Sequence, residues 1–185
     1  MKNKDKSREI VKFGIQKHLQ GVTLKEIEVI QDEYFKKNNL EVRDKAFVKN
    51  LTLSIIRNRG IIENVTSKYL DRPLPKKPIE IKAILLMGVA QVLFTRVEDY
   101  AAVNTTVNFF EGRLKKWRSL ANAILRNIIR QENYKSKNYD LRLNVPNWLY
   151  NSWIEQYGEK DTGKIINQIF KEPYLDLNIK KDFNH

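Results

Sequence analysis

The 185-residue chain is 42% apolar and 30% charged, with a net charge of +12, proportions that exclude a disordered polypeptide and predict a folded domain. It has no cysteine, which excludes disulfides, thiolate metal sites and a cysteine nucleophile. The start, MKNKDKSREI, has no apolar run behind its charges, and the most apolar stretch, Ile79 to Phe94, is interrupted by Glu80, Lys82, Gly88 and Gln91. Neither a signal peptide nor a membrane span is expected, and the expected location is the cytoplasm.

Almost every segment has helical periodicity. Ile10, Phe13, Ile15 and Leu19 predict a first helix over 6–20, ended by Gly21. Thr23 with Glu26 forms a capping box for a second helix carrying Leu24, Ile27, Ile30 and Tyr34. A third, about Val42 to Arg57, aligns Phe47, Leu51 and Ile55. A short helix from Ile61 to Leu70 fits between Gly60 and the three prolines of DRPLPKKP, which read as punctuation. Ile79 to Thr95 is apolar nearly all round, as a helix at the centre of a bundle must be. Asp99 is the expected cap of a helix from Tyr100 to Glu111, and GRLKKWR the basic loop after it. In WRSLANAILRNIIRQ, Trp117, Leu120, Ala121, Ile124, Leu125 and Ile128 share one face, while Arg118, Asn122, Arg126 and Arg130 run along its border.

These elements predict an all-α bundle of six to seven helices over residues 1–132. Residues 133–146 read as a polar linker. After Pro146, NWLYNSWIEQYG restarts a helix, another is expected from Thr162 to Phe170, and Leu175 to Ile179 reads as a short strand. Residues 147–185 are therefore expected to be the partial start of a second, α+β unit, too small to stand alone. Trp148 and Trp153 are read as packing residues that dock this segment onto the bundle or onto a catalytic domain that would follow.

Charge is unevenly spread. Residues 1–132 hold 26 basic and 15 acidic side chains, whereas 133–185 hold 8 and 7. A polycationic bundle beside a nearly neutral tail suggests a polyanionic partner.

Three stretches carry a family resemblance: RDKAFVKNLTLSIIRNRGIIENVTSKYLDRPL, IKAILLMGVAQVLFTRVEDYAAVNTTV and WRSLANAILRNIIRQ. In order and pattern they resemble the NusB family, and within it the NusB-like N-terminal domain of the RsmB/Sun-type ribosomal RNA (cytosine-5) methyltransferases. VPNWLYNSWIEQYG and KEPYLDLNIKKD are similar to the stretches that open the domain before the catalytic core of those enzymes. The resemblance implies a NusB-like bundle that binds RNA, ribosomal RNA being the ligand class expected. It also implies S-adenosylmethionine as a cofactor only where a catalytic domain follows. Within this chain, no cysteine can attack cytosine and no glycine-rich loop follows a strand to hold that cofactor. No cofactor and no metal site are expected.

Other chemistry finds little support. His18 and His185 are too few for a triad or a metal centre, and Glu26/Glu28 and Asp32/Glu33 read as solvated helix positions. Binding remains. Lys and Arg can hold phosphates while aromatic rings stack on bases. Candidate RNA contacts are Lys4, Lys6, Arg8 and Lys12, with Lys2 before them; Arg113, Lys115, Lys116 and Arg118; and the rim residues Arg126 and Arg130. The family resemblance points to the start of the first helix, hence to Lys6, Arg8 and Lys12. Trp117 reads either as a core residue or as a stacking platform. A competing reading is a NusB-type antitermination scaffold that pairs with a small ribosomal protein, and another is a bundle that docks on its own C-terminal methyltransferase domain.

Overall fold

The computed structural model describes residues 5–135 and 137–171. Among them are eight α-helices and no strand: α1 (Lys6–Leu19), α2 (Leu24–Asn38), α3 (Val42–Arg57), α4 (Arg59–Ser67), α5 (Glu80–Phe94), α6 (Asp99–Asn108), α7 (Arg118–Ile129) and α8 (Asn147–Phe170). Two short 3₁₀ helices, Gly112–Trp117 and Leu141–Asn144, complete the set. The all-α architecture expected from the periodicity is the one observed. The chain divides into two compact units, with the boundary after Asn144.

In the first unit α5 is the hub. Every residue from Ala83 to Leu93 is buried, and α1, α3, α4, α6 and α7 all pack on it. A helix surrounded on all sides cannot be amphipathic, which is why this stretch is apolar throughout. The outer helices each turn one stripe inward: Ile10, Val11 and Ile15 from α1, Val48, Leu51 and Ile55 from α3, and Ala121, Ile124, Leu125 and Ile128 from α7. The α2 start is built as its sequence predicts, with Thr23 accepting from the Glu26 N–H and Glu26 accepting from the Thr23 N–H.

Several boundaries differ from expectation. The helix expected over Ile61–Leu70 runs Arg59–Ser67, because Gly60 lies inside the first turn. Asp99 is not the cap of α6. Glu98 occupies that position without a side-chain bond, and the Asp99 carboxylate instead accepts from the Tyr134 hydroxyl and pairs with Lys135 at 2.9 Å. The basic loop after α6 is helical, and the polar stretch read as a linker is packed. Tyr134, Tyr139 and Leu141 lie against the core, and the Leu141–Asn144 turn closes on α4, where Asn144 Oδ1 accepts from the Ile61 N–H at 3.0 Å. Gly60 makes that approach possible, since a Cβ there would lie 1.7 Å from the Leu143 carbonyl oxygen.

The second unit is described from Val145 to Lys171. Its helix breaks at Gly158, whose φ of 74° is accessible at little cost only to glycine, so the two expected helices are two arms of α8. Val145, Thr162 and Ile166 are buried. Trp153 is half-buried, whereas Trp148 is 72% exposed among the described residues. The strand expected at Leu175 to Ile179 lies outside the described residues.

Candidate nucleic-acid interface

In the stretch GRLKKW, local geometry separates apolar from basic side chains. Gly112 takes a φ of 54°, turning the chain out of α6 into a 3₁₀ helix. With three residues per turn, side chains three apart eclipse one another. Leu114 and Trp117 therefore share the inner side, Leu114 buried and Trp117 half-buried against the core. Arg113 and Lys116 share the outer side, and both are exposed.

Opposite them runs the proline-bounded segment from Pro75 to Pro78, which bends at Lys76 and Lys77 and leaves both at the surface. Between the two lies an open groove of about 790 Å³, lined by Lys76, Lys77, Arg113 and Lys116 together with half-buried Trp117 and exposed Gln20. One carboxylate, Glu80, lines it as well. Glu80 accepts from Arg113 at 2.6 Å, and its own backbone N–H, together with Arg113 and Lys12, holds its carboxyl below the usual range against the opposing effect of burial. Lys76, Lys77 and Lys116 form no ion pair among the described residues, so the groove retains an excess of positive charge beside an accessible indole. Phosphates and stacked bases are the ligands such a surface can hold.

The candidates from the first helix separate. Lys6 and Lys12 line a smaller depression of about 250 Å³ with Phe13 and Tyr34, whose ring centroids are 5.5 Å apart. The Lys12 ammonium lies 5.4 Å from the centre of the Phe109 ring, on the side facing Glu80. Arg8 turns inward. Its side chain is 13% exposed and bound to Asp5, its guanidinium lies 4.8 Å from the centre of the Phe47 ring, and its Nε donates to Oε1 of fully buried Gln91. Gln91 Nε2 in turn reaches the Met87 carbonyl at 3.3 Å and Thr106 at 3.4 Å. Lys4 lies outside the described residues.

On the α7 rim, Arg118 donates to Asn108 Oδ1 at 2.8 Å and Arg126 to Asn122 Oδ1 at 3.0 Å. Arg126 and Arg130 line a separate depression with Asp99 and Tyr100. Lys115 is exposed but, one residue out of phase on the 3₁₀ helix, does not line the groove. The structure thus brings Arg113 and Lys116 together with Lys76 and Lys77, and leaves Arg126 and Arg130 apart from them. Lys76 and Lys77 were missed because the stretch holding them reads as a proline break; adjacent lysines between prolines were the available signal.

His18 Nδ1 lies 3.3 Å from the Val22 carbonyl at the end of α1, and among the described residues no group of three or more His, Cys, Asp or Glu side chains could hold a metal ion. No described helix is long and apolar enough to cross a membrane.

The chain is 34% identical over 141 residues to ribosomal RNA small subunit methyltransferase B of Shewanella oneidensis, covering 73% of this chain and 32% of that protein. It is 26% identical over 161 residues to the probable ribosomal RNA small subunit methyltransferase B of Synechocystis, covering 82% and 36% respectively, and 30% identical over 125 residues to its Proteus mirabilis counterpart. The chain thus spans about a third of the length of these relatives. No solved structure matches it significantly. Residues 6–130, which hold the whole bundle from α1 through α7, match the NusB family, and the chain belongs to that family.

Proposed function

We propose that the chain acts as a noncatalytic RNA-binding module that holds ribosomal RNA in place for a methyltransferase domain. The observation that carries the reading is the groove in which Lys76, Lys77, Arg113 and Lys116 share a lining with half-buried Trp117. Unpaired ammonium groups around an indole suit a single-stranded or looped RNA, whose phosphates are held by charge and whose bases can stack. Lys6 and Lys12 extend the positive surface along α1, and Lys115 adds charge at its edge. Arg8 supports the surface from beneath rather than touching RNA. The relatives are named for ribosomal RNA methylation, which favours ribosomal RNA as the ligand. Methyl transfer itself belongs, in this reading, to a part of those proteins that the matched third does not include, and the chain works in the cytoplasm, where ribosomes are assembled.

Fluorescence anisotropy of a labelled small-subunit ribosomal RNA fragment tests the reading. The native chain should bind at submicromolar concentration, and a Lys76→Ala/Lys77→Ala/Lys116→Ala variant should bind at least tenfold more weakly with an unchanged melting curve. Equal binding by both would remove the groove from the account. Absence of binding at low salt would overturn the RNA reading and leave a scaffold for a small ribosomal protein as the better one.

A further inference from the structure

The α7 rim ends in a depression of about 210 Å³ between α6 and α7, lined by Tyr100, Arg126 and Arg130 around a floor of Val103 and Ile129. Tyr100 is 77% exposed, an unusual position for an aromatic ring that contributes nothing to the core. Asp99, the one carboxylate in the depression, is already occupied by the Tyr134 hydroxyl and by Lys135. Arg126 and Arg130 have no carboxylate partner among the described residues, and Arg126 is held in place by Asn122. An exposed ring flanked by two uncompensated guanidinium groups is the arrangement that stacks a base and holds the phosphates on either side of it.

The position along α7 matters too. Arg118 and Arg130 are separated by twelve residues, about 18 Å at 1.5 Å per residue. The row Arg118, Asn122, Arg126 and Arg130 therefore runs from the residue after Trp117, which lines the groove, to the depression at the end of α7.

We propose that Tyr100, with Arg126 and Arg130, forms a second single-stranded RNA subsite, and that the polar rim of α7 is the track along which one strand passes from the groove to it. The inference rests on the RNA reading of the groove and extends it. A short oligonucleotide fills the groove alone, and a longer one reaches Tyr100 as well. The ring does the stacking, so Tyr100→Phe retains the subsite and Tyr100→Ala abolishes it.

The experiment compares single-stranded RNAs of about 4 and about 16 nucleotides, the range such platforms accommodate, on the native chain and on Tyr100→Ala, Tyr100→Phe and Arg126→Ala/Arg130→Ala variants. Tyr100→Ala should weaken the long RNA about tenfold and leave the short one unchanged, and Tyr100→Phe should match the native chain on both. Long RNA carrying 5-iodouridine should also crosslink to Tyr100 on illumination, with the adduct located by mass spectrometry. If the native chain binds both RNAs, the groove variant loses both, and Tyr100→Ala and Arg126→Ala/Arg130→Ala bind the long RNA normally, the second subsite is overturned while the groove stands. If the native chain binds neither RNA, the groove reading has failed first. An acidic peptide that binds the native chain and is lost on Tyr100→Ala, with long RNA unaffected, would assign the depression to a protein partner and equally overturn the proposal.

Discussion

Replacing Arg8 by alanine separates support of the fold from contact with RNA. The guanidinium makes a charge-assisted hydrogen bond to fully buried Gln91, an interaction of about 1.5–3 kcal/mol whose loss leaves an amide oxygen unsatisfied. Its position over Phe47 at 4.8 Å adds about 0.5–1 kcal/mol. The pair with Asp5, partly open to solvent, adds about 0.5 kcal/mol. Together these predict a destabilisation of about 3 kcal/mol for Arg8→Ala, and hence a fall in Tm of about 10 °C for a chain of this size. Lys6→Ala, at an exposed position on the same helix, should change stability by no more than about 0.5 kcal/mol. Urea unfolding followed by circular dichroism measures both. A double-mutant cycle of Arg8→Ala with Gln91→Ala should return a coupling of at least about 1 kcal/mol. The reasoning is refuted if Arg8→Ala unfolds at the native urea concentration yet binds RNA poorly, because Arg8 would then be a surface contact rather than a buried brace.

Further predictions concern contacts between distant parts of the chain. Gly60→Ala should destabilise by about 2 kcal/mol, because its Cβ would meet backbone rather than a movable side chain and displace the Asn144 bond to Ile61, outweighing the gain in helix propensity; an unchanged urea midpoint would argue against the close approach. Thr52→Val removes the hydroxyl that accepts from Gln31 Nε2 at 2.8 Å between two buried side chains and should cost about 1–3 kcal/mol in the same assay. Burial pushes the Glu63 carboxyl up, but hydrogen bonds and charges from Arg59 and Lys82 outweigh it and hold the group below its ordinary value. Because the folded value is the lower one, the stabilising contribution is present above the ordinary value of 4.5 and is lost as pH falls below it. Glu63→Gln should accordingly flatten the acid limb of the stability profile, and an acid limb as steep as that of the native chain would contradict the assignment.

What could be read in the sequence was decided by distance along the chain. The capping box of Thr23 and Glu26 needs only four residues, and the all-round apolarity of α5 follows directly from its central place, so both were legible. So was the polar border of α7, whose spacing is a property of one helix. Arg8 looked like its basic neighbours because the partner that turns it inward, Gln91, is 83 residues away. Gly60 read as a helix stop, although its role is to admit the backbone of Leu143, and Ile61 meets Asn144 across the same 83-residue separation. Lys76 and Lys77 line the groove only because the fold brings the proline segment beside Arg113 and Lys116. Asp99 carries the signature of a cap, but its carboxylate binds Tyr134 and Lys135 instead of capping the start of α6. Periodicity reports which face is buried and says nothing of which distant partner buries it.

The groove's role is tested most directly by the salt dependence of RNA binding, measured for the native chain and for the Lys76→Ala/Lys77→Ala/Lys116→Ala variant between low and physiological salt. Each lysine that neutralises a phosphate of a single strand contributes about 0.7 to the slope of log affinity against log salt. The account predicts a native slope steeper than the variant's by about 2. Parallel slopes, with any difference in affinity the same at every salt concentration, would contradict the claim that these lysines hold phosphates.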